Sequence, residues 1–240
     1  MKSKTVNSIL LLILVVSIPL FFLYFKPALL QSSLFTDLFP PQSEKMWSVF
    51  RGQIVRLVHL CAVFGVISIF GYQYSNLFLV KGNISLGAEK FPLFGIKGGE
   101  PWWKIALNVG SVVVGVTIIF CFLTLKLTSR TLHETLQQMP LILMNAAMNA
   151  FYEEFVFRAA LIPPLLMIVG KSKTIWITAI LFGIAHFHGN ELSGVLFALM
   201  ATYLGLLLAK SMIETKGILF AWGLHFILDV VVFSSMVIAS

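Results

Sequence analysis

Residues 6–25 read VNSILLLILVVSIPLFFLYF, twenty residues without a charge. At 1.5 Å per residue a helix of that length rises about 30 Å, the thickness of a bilayer's hydrocarbon core. The run follows Met-Lys-Ser-Lys and so has the outline of a secretory signal. It is longer than the roughly 7–15 apolar residues of a signal, and no small-residue cleavage site follows. A retained first transmembrane helix is expected.

The rest of the chain is of the same kind. Of its 240 residues 58% are apolar and 11% charged, and the mean hydropathy is +0.94. An ordinary soluble domain carries about 25% charged residues, so there are too few charges here to cover a solvated surface. The expected fold class is all-α, a polytopic transmembrane helical bundle in the lipid bilayer. The net charge of +7 is scattered between the apolar runs, with no basic patch, so no nucleic acid is expected as a partner. Cys61 and Cys121 sit inside apolar runs and read as small hydrophobes, with no disulfide or CxxC metal site supported.

Spans of sufficient length lie near 6–25, 56–80, 104–125, 140–162, 174–189, 193–210 and 217–238, about seven in all. The stretch 26–53, with Pro27, Pro40 and Pro41, and the Gly- and Pro-rich stretch 81–103 read as irregular loops. With the N-terminus inside, ten basic residues face inward: Lys2, Lys4, Lys81, Lys90, Lys97, Lys104, Lys171, Lys173, Lys210 and Lys216. Six face outward: Lys26, Lys45, Arg51, Arg56, Lys126 and Arg130. That asymmetry favours a multi-pass protein of the cell membrane with a cytoplasmic N-terminus.

Ionisable residues at membrane depth concentrate in the second half. Each costs about 2.5–3.5 kcal/mol at the bilayer centre and is a functional candidate by default. Asn145, Asn149, Glu153, Glu154 and Arg158 fall in or at the end of one span. Glu154 and Arg158 are four apart and share a helix face, which suits a structural ion pair. Glu153 is turned about 100° away, on a stripe with Asn145 and Asn149. It has no cation on its own helix, and a buried carboxylate without a fixed partner has a raised pKa suited to a general base. The two asparagines read first as interhelical glue. His186 ends an apolar run, and His225 and Asp229 are four apart in a later span, so the carboxylate can hold the imidazole. His59, His133 and His188 read as packing or interfacial residues.

Together Glu153-Glu154-Phe-Val-Phe-Arg158, Phe182-Gly-Ile-Ala-His186 and His225-Phe-Ile-Leu-Asp229 match EExxxR, FxxxH and HxxxN/D. In this order the chain resembles the CAAX protease and bacteriocin-processing (CPBP, or Abi) family of membrane peptidases, over roughly residues 140–235. The resemblance implies a peptidase core at 136–240, preceded at 1–135 by transmembrane helices with two polar loops, and a catalytic cavity formed by the C-terminal four spans. It implies that Glu153 and His186 activate a water, that His225 with Asp229 supports the oxyanion or orients the site, and that Glu154 and Arg158 maintain the helix. Asn149 and Phe182 take secondary, structural places. Its implied substrate is a membrane-associated peptide or protein, of CAAX, bacteriocin or signalling-peptide type. A zinc ion on Glu153, His186 and His225 is possible and not required, since no HExxH is present. Two other classes remain: a non-catalytic scaffold or immunity protein, and an ion- or proton-coupled transporter, against which the lack of an internal repeat counts.

Overall fold

The computed structural model describes residues 2–124, 132–187 and 192–239. Lys126, Arg130 and His188 lie outside the described residues, as does the side chain of His133.

The first span runs through α1 (Lys2–Leu20), a π-helical turn (Phe21–Phe25) and α2 (Lys26–Gln31). Pro19, with no amide hydrogen to donate, sits just before the widened turn. Ser32 caps α3 (Ser33–Leu38), its hydroxyl accepting from the Phe35 amide at 3.4 Å. Then comes α4 (Lys45–Ile69). After an irregular stretch, α5 (Trp102–Ile105), a π-helical turn (Ala106–Gly110) and α6 (Ser111–Thr124) follow one another. The C-terminal part holds α7 (Leu132–Gln137), α8 (Met139–Glu154), α9 (Ile162–Val169), α10 (Lys171–Ala185), α11 (Leu192–Thr215) and α12 (Leu219–Ile238). Among the described residues there is no strand, only two isolated bridges, Gly87 to Pro101 and Phe91 to Ile96. The all-α expectation holds.

Length and composition bear out part of the expected set of spans. Among the described residues five helical segments are long and apolar enough to cross a membrane: Lys4–Gln31, Lys45–Ile69, Trp102–Thr124, Leu192–Thr215 and Leu219–Ile238. The spans expected at 140–162 and 174–189 are the shorter α8 and α10, of 16 and 15 residues. Such helices rise only about 22–24 Å, and a π-helical turn with Arg158 carries α8 onward through Phe155–Ala159. The span expected at 56–80 lies at Lys45–Ile69, so that much of the presumed loop 26–53 is helical. Its prolines explain the misreading: Pro27 opens a helix, while Pro40 and Pro41 separate two.

The stretch 81–103 is irregular as expected, but it is packed. Phe78, Ala88, Phe94, Ile96 and Trp102 are buried in one cluster with Leu207, Met212 and Phe220 of α11 and α12. Lys171 ties it down, with Nζ 2.6 Å from Glu89 and 3.0 Å from Glu214, which also pairs with Lys210. Large apolar side chains such as Leu12, Leu23, Ile69, Leu123 and Leu199 lie exposed on the outside. So much exposed apolar surface needs lipid around it. This is an integral membrane protein.

Two features set the site's scaffold. α8 packs between α4 and α12, which brings distant segments onto its polar stripe. α10 lies against α11 at unusually close range, because Gly183 and Gly205 carry no side chain there. A Cβ at Gly183 would overlap the Thr202 hydroxyl, and one at Gly205 would come 2.9 Å from Ala179 Cα and 3.3 Å from Arg158 Nη2. Small residues serve helix contacts in membranes in this way.

Candidate active site

The site begins on α8. Asn145, Asn149 and Glu153 form the predicted stripe, and all are buried. Asn145 donates to the Met46 carbonyl of α4 at 2.9 Å. Asn149 accepts from Gln53 at 3.1 Å and donates to Asp229 Oδ2 at 3.0 Å, so both asparagines do join helices. Immediately after Glu154 the helix widens into its π-turn, closed by the Ala160 amide donating to Phe155 O at 2.9 Å. Such single π-turns recur at functional sites.

Arg158 lies in that turn and donates to Glu154 Oε1 at 3.0 Å, with neither side chain exposed. The predicted ion pair is present. Its guanidinium also sits 3.8 Å over the Phe182 ring, a cation–π contact that fixes Phe182 of α10. Phe182 in turn lies 4.3 Å from the His186 ring and 5.7 Å, edge on, from that of His225.

His186 follows the last residue of α10, and its Nδ1 lies 2.8 Å from the Phe182 carbonyl. A carbonyl only accepts, so Nδ1 carries the hydrogen and Nε2 is the free face. That Nε2 lies 3.4 Å from Glu153 Oε2. His225 Nε2 lies 3.6 Å from the same oxygen. One carboxylate oxygen therefore faces two imidazoles, and it has no hydrogen-bond partner among the described residues.

Two sequence expectations are corrected here. The imidazole of His225 was expected to be held by Asp229, but their closest approach is 3.7 Å. Glu154 holds it instead, 2.7 Å from Nδ1, across 71 residues of chain. Spacing on one helix could suggest only the local partner. Glu153 has no cation on its own helix, as expected, but it is not without a fixed partner: Arg56 of α4 lies with Nη1 3.5 Å from Glu153 Oε1. Arg56 also bonds Asn149 Oδ1 and is the residue that sequence reasoning missed. Beginning the span at 56 put it at the membrane edge. The signal was there in Gln53, Arg56 and His59, polar residues three apart on what is one long helix. His59 itself has a packing place, stacked 4.3 Å from Phe21 with Nδ1 2.7 Å from the Tyr152 hydroxyl.

His186, His225 and Asp229 open onto a cavity of about 730 Å³. Its walls are mostly apolar: Val112, Val116 and Phe120 of α6, Phe197 and Leu204 of α11, Leu228 and Val232 of α12. The C-terminal four spans do not close it alone, because α6 supplies one wall. Among the described residues no group of three or more His, Cys, Asp or Glu side chains is arranged to hold a metal ion.

The fold and site together define an intramembrane helical bundle whose buried acids and histidines meet beside an apolar cavity. Residues 135–231 match the family model described as Rce1-like, Type II CAAX prenyl endopeptidase Rce1-like. That match agrees with the resemblance to the CAAX protease family carried by the three motifs. No curated protein and no solved structure gives a match.

Proposed function

We propose that the protein is an intramembrane endopeptidase in which Glu153 and His186 activate a water and His225 supports the oxyanion. The observation that carries this reading is Glu153 Oε2, 3.4 Å from His186 Nε2 and 3.6 Å from His225 Nε2 at the edge of the apolar cavity. A water between Glu153 and His186 loses a proton as its oxygen attacks the scissile carbonyl. The proton passes to the leaving amine when the C–N bond breaks, leaving a carboxylic acid and an amine. Oxyanion support needs a donor. With Nδ1–H of His225 given to Glu154, that donor is Nε2–H, so His225 acts as the doubly protonated imidazolium, and Asp229, a carboxylate bonded to Asn149, orients the site rather than touching the oxyanion.

The cavity favours a membrane-associated substrate with an apolar or lipid-bearing segment, seated between α6, α11 and α12 while its peptide bond reaches the histidines. Side chains alone suffice for these steps, and a chelator tests whether a metal ion takes part. Wild type and Glu153→Ala are compared in membranes on membrane-tethered peptides, with and without chelator. Cleavage by wild type alone, insensitive to chelator, supports the proposal. Chelator-sensitive cleavage makes Glu153 part of a metal site. Equal cleavage by both proteins removes Glu153 from the chemistry, and failure of wild type to cleave favours a scaffold or transporter.

A further inference from the structure

The residues given chemical roles above lie on α8, α10 and α12, inside the segment that is Rce1-like. Arg56 does not. It reaches the same site from α4, which lies outside the matched segment, 97 residues before Glu153. We propose that Arg56 is a positioning residue of this site, holding the Glu153 and Asp229 carboxylates in the arrangement that water activation requires; this rests on the peptidase reading.

Three observations carry it. Arg56 binds the Oε1 side of Glu153, at 3.5 Å, while Oε2 faces the two imidazoles. A carboxylate held at one oxygen by a fixed donor cannot rotate the other away. The same Nη1 bonds Asn149 Oδ1, which turns the Asn149 amide nitrogen toward Asp229, 3.0 Å away. One guanidinium thus fixes one acid directly and the other through a single amide. Its own position is fixed as well: it lies 5.4 Å from the Phe22 ring and 5.2 Å from the Tyr152 ring, with Gln53 Oε1 3.4 Å from Nη1.

The charges point the same way. Glu153, Glu154 and Asp229 are buried together, and Arg158 is engaged with Glu154. Among the described residues Arg56 is the arginine bonded to Glu153 and, through Asn149, linked to Asp229. A buried acid stripped of its cation is strongly unfavourable, so Arg56 and Glu153 must be energetically coupled if the proposal is right.

The experiment uses the full chain in nanodiscs, as Arg56→Met, Arg56→Lys, Glu153→Gln and the double variant Arg56→Met with Glu153→Gln. In cleavage assays Arg56→Met is expected to lower kcat by about 100-fold, the scale of a misplaced catalytic group, with KM within about twofold of wild type. Arg56→Lys, which keeps the charge without the fork, recovers part of that loss. Melting temperatures give an answer independent of cleavage. Arg56→Met lowers Tm, and adding Glu153→Gln restores much of it, because the acid left unpaired is gone. Wild-type kcat in Arg56→Met, or additive losses of Tm across the four proteins, overturns the proposal. If wild type cleaves no peptide, the peptidase reading falls separately and the melting cycle decides: non-additivity keeps Arg56 as the holder of the acids, and additivity removes it.

Discussion

Gly205→Ala adds one methyl group at the crossing of α10 and α11, and the structure says what it meets. The new Cβ stands 2.9 Å from Ala179 Cα, 3.2 Å from Ala179 Cβ and 3.3 Å from Arg158 Nη2. The first is backbone and cannot swing aside, so α10 must move away from α11 by several tenths of an ångström. Overpacking of this kind costs about 1–3 kcal/mol, and in a chain of this size each kcal/mol lowers Tm by about 2–4 °C. A fall of about 2–12 °C is expected. α10 also carries Phe182 and His186, and Arg158 is displaced directly, so activity should fall further than stability alone explains. The control is Gly65→Ala on α4, where a Cβ meets nothing within 4 Å. There the same exchange should leave Tm unchanged or raise it, since alanine favours helix over glycine by about 0.5–1 kcal/mol. Thermal unfolding of both variants in detergent micelles, read beside peptide cleavage, decides the matter. Equal behaviour of the two alanines would refute the tight crossing.

Two further expectations concern partners found in the fold. Glu154→Gln can still bond His225 Nδ1 but removes the negative charge that favours the doubly protonated ring; kcat should fall by about 10²–10⁴-fold, the scale of a lost orienting carboxylate, and an unchanged kcat would disprove the role of Glu154 in holding His225. The second is a pH effect outside the spans. The hydrogen bond from Lys171 holds the Glu89 carboxyl below its ordinary range. A depressed carboxyl adds stability that is present above its unfolded pKa, near 4.3, and is lost as pH falls through the folded value. Loop 81–101 should therefore become easier to cleave by an acid-active protease below about pH 4, and Glu89→Gln should abolish that pH dependence. Identical digestion of both proteins across the range would count against the tie.

What the sequence disclosed was local. Glu154 and Arg158 are one helical turn apart, and four-residue spacing alone placed them together. The stripe of Asn145, Asn149 and Glu153 followed from the same repeat, and the motif order supplied the meeting of Glu153 with His186 and His225. What spacing could not supply was any partner from elsewhere in the chain. Asp229 stands one turn from His225 and looked like its holder, yet the helix crossing delivers Glu154 to that nitrogen. Arg56 was hidden by a boundary: read as the first residue of a span it was an anchor, whereas in the middle of α4 it is a half-buried cation facing the site. α8 and α10 fall short of the length and apolarity of the other spans because α8 carries charges and α10 has 15 residues, which weakens the signal by which membrane helices are recognised. The wall that α6 gives to the cavity had no motif to announce it.

The order of the chain bears on how this centre comes into being. Arg56 precedes Glu153 by 97 residues, while His225 and Asp229 follow the α8 residues they face, Glu154 and Asn149, by 71 and 80. A growing polypeptide therefore makes the guanidinium before the acid it will serve, and Glu154 is followed within one turn by Arg158. The negative groups of α8 need not wait in the lipid alone, and the oxygen still open on Glu153 is claimed by histidines made afterwards. Synthesis from N- to C-terminus thus supplies counter-charge first and chemistry last.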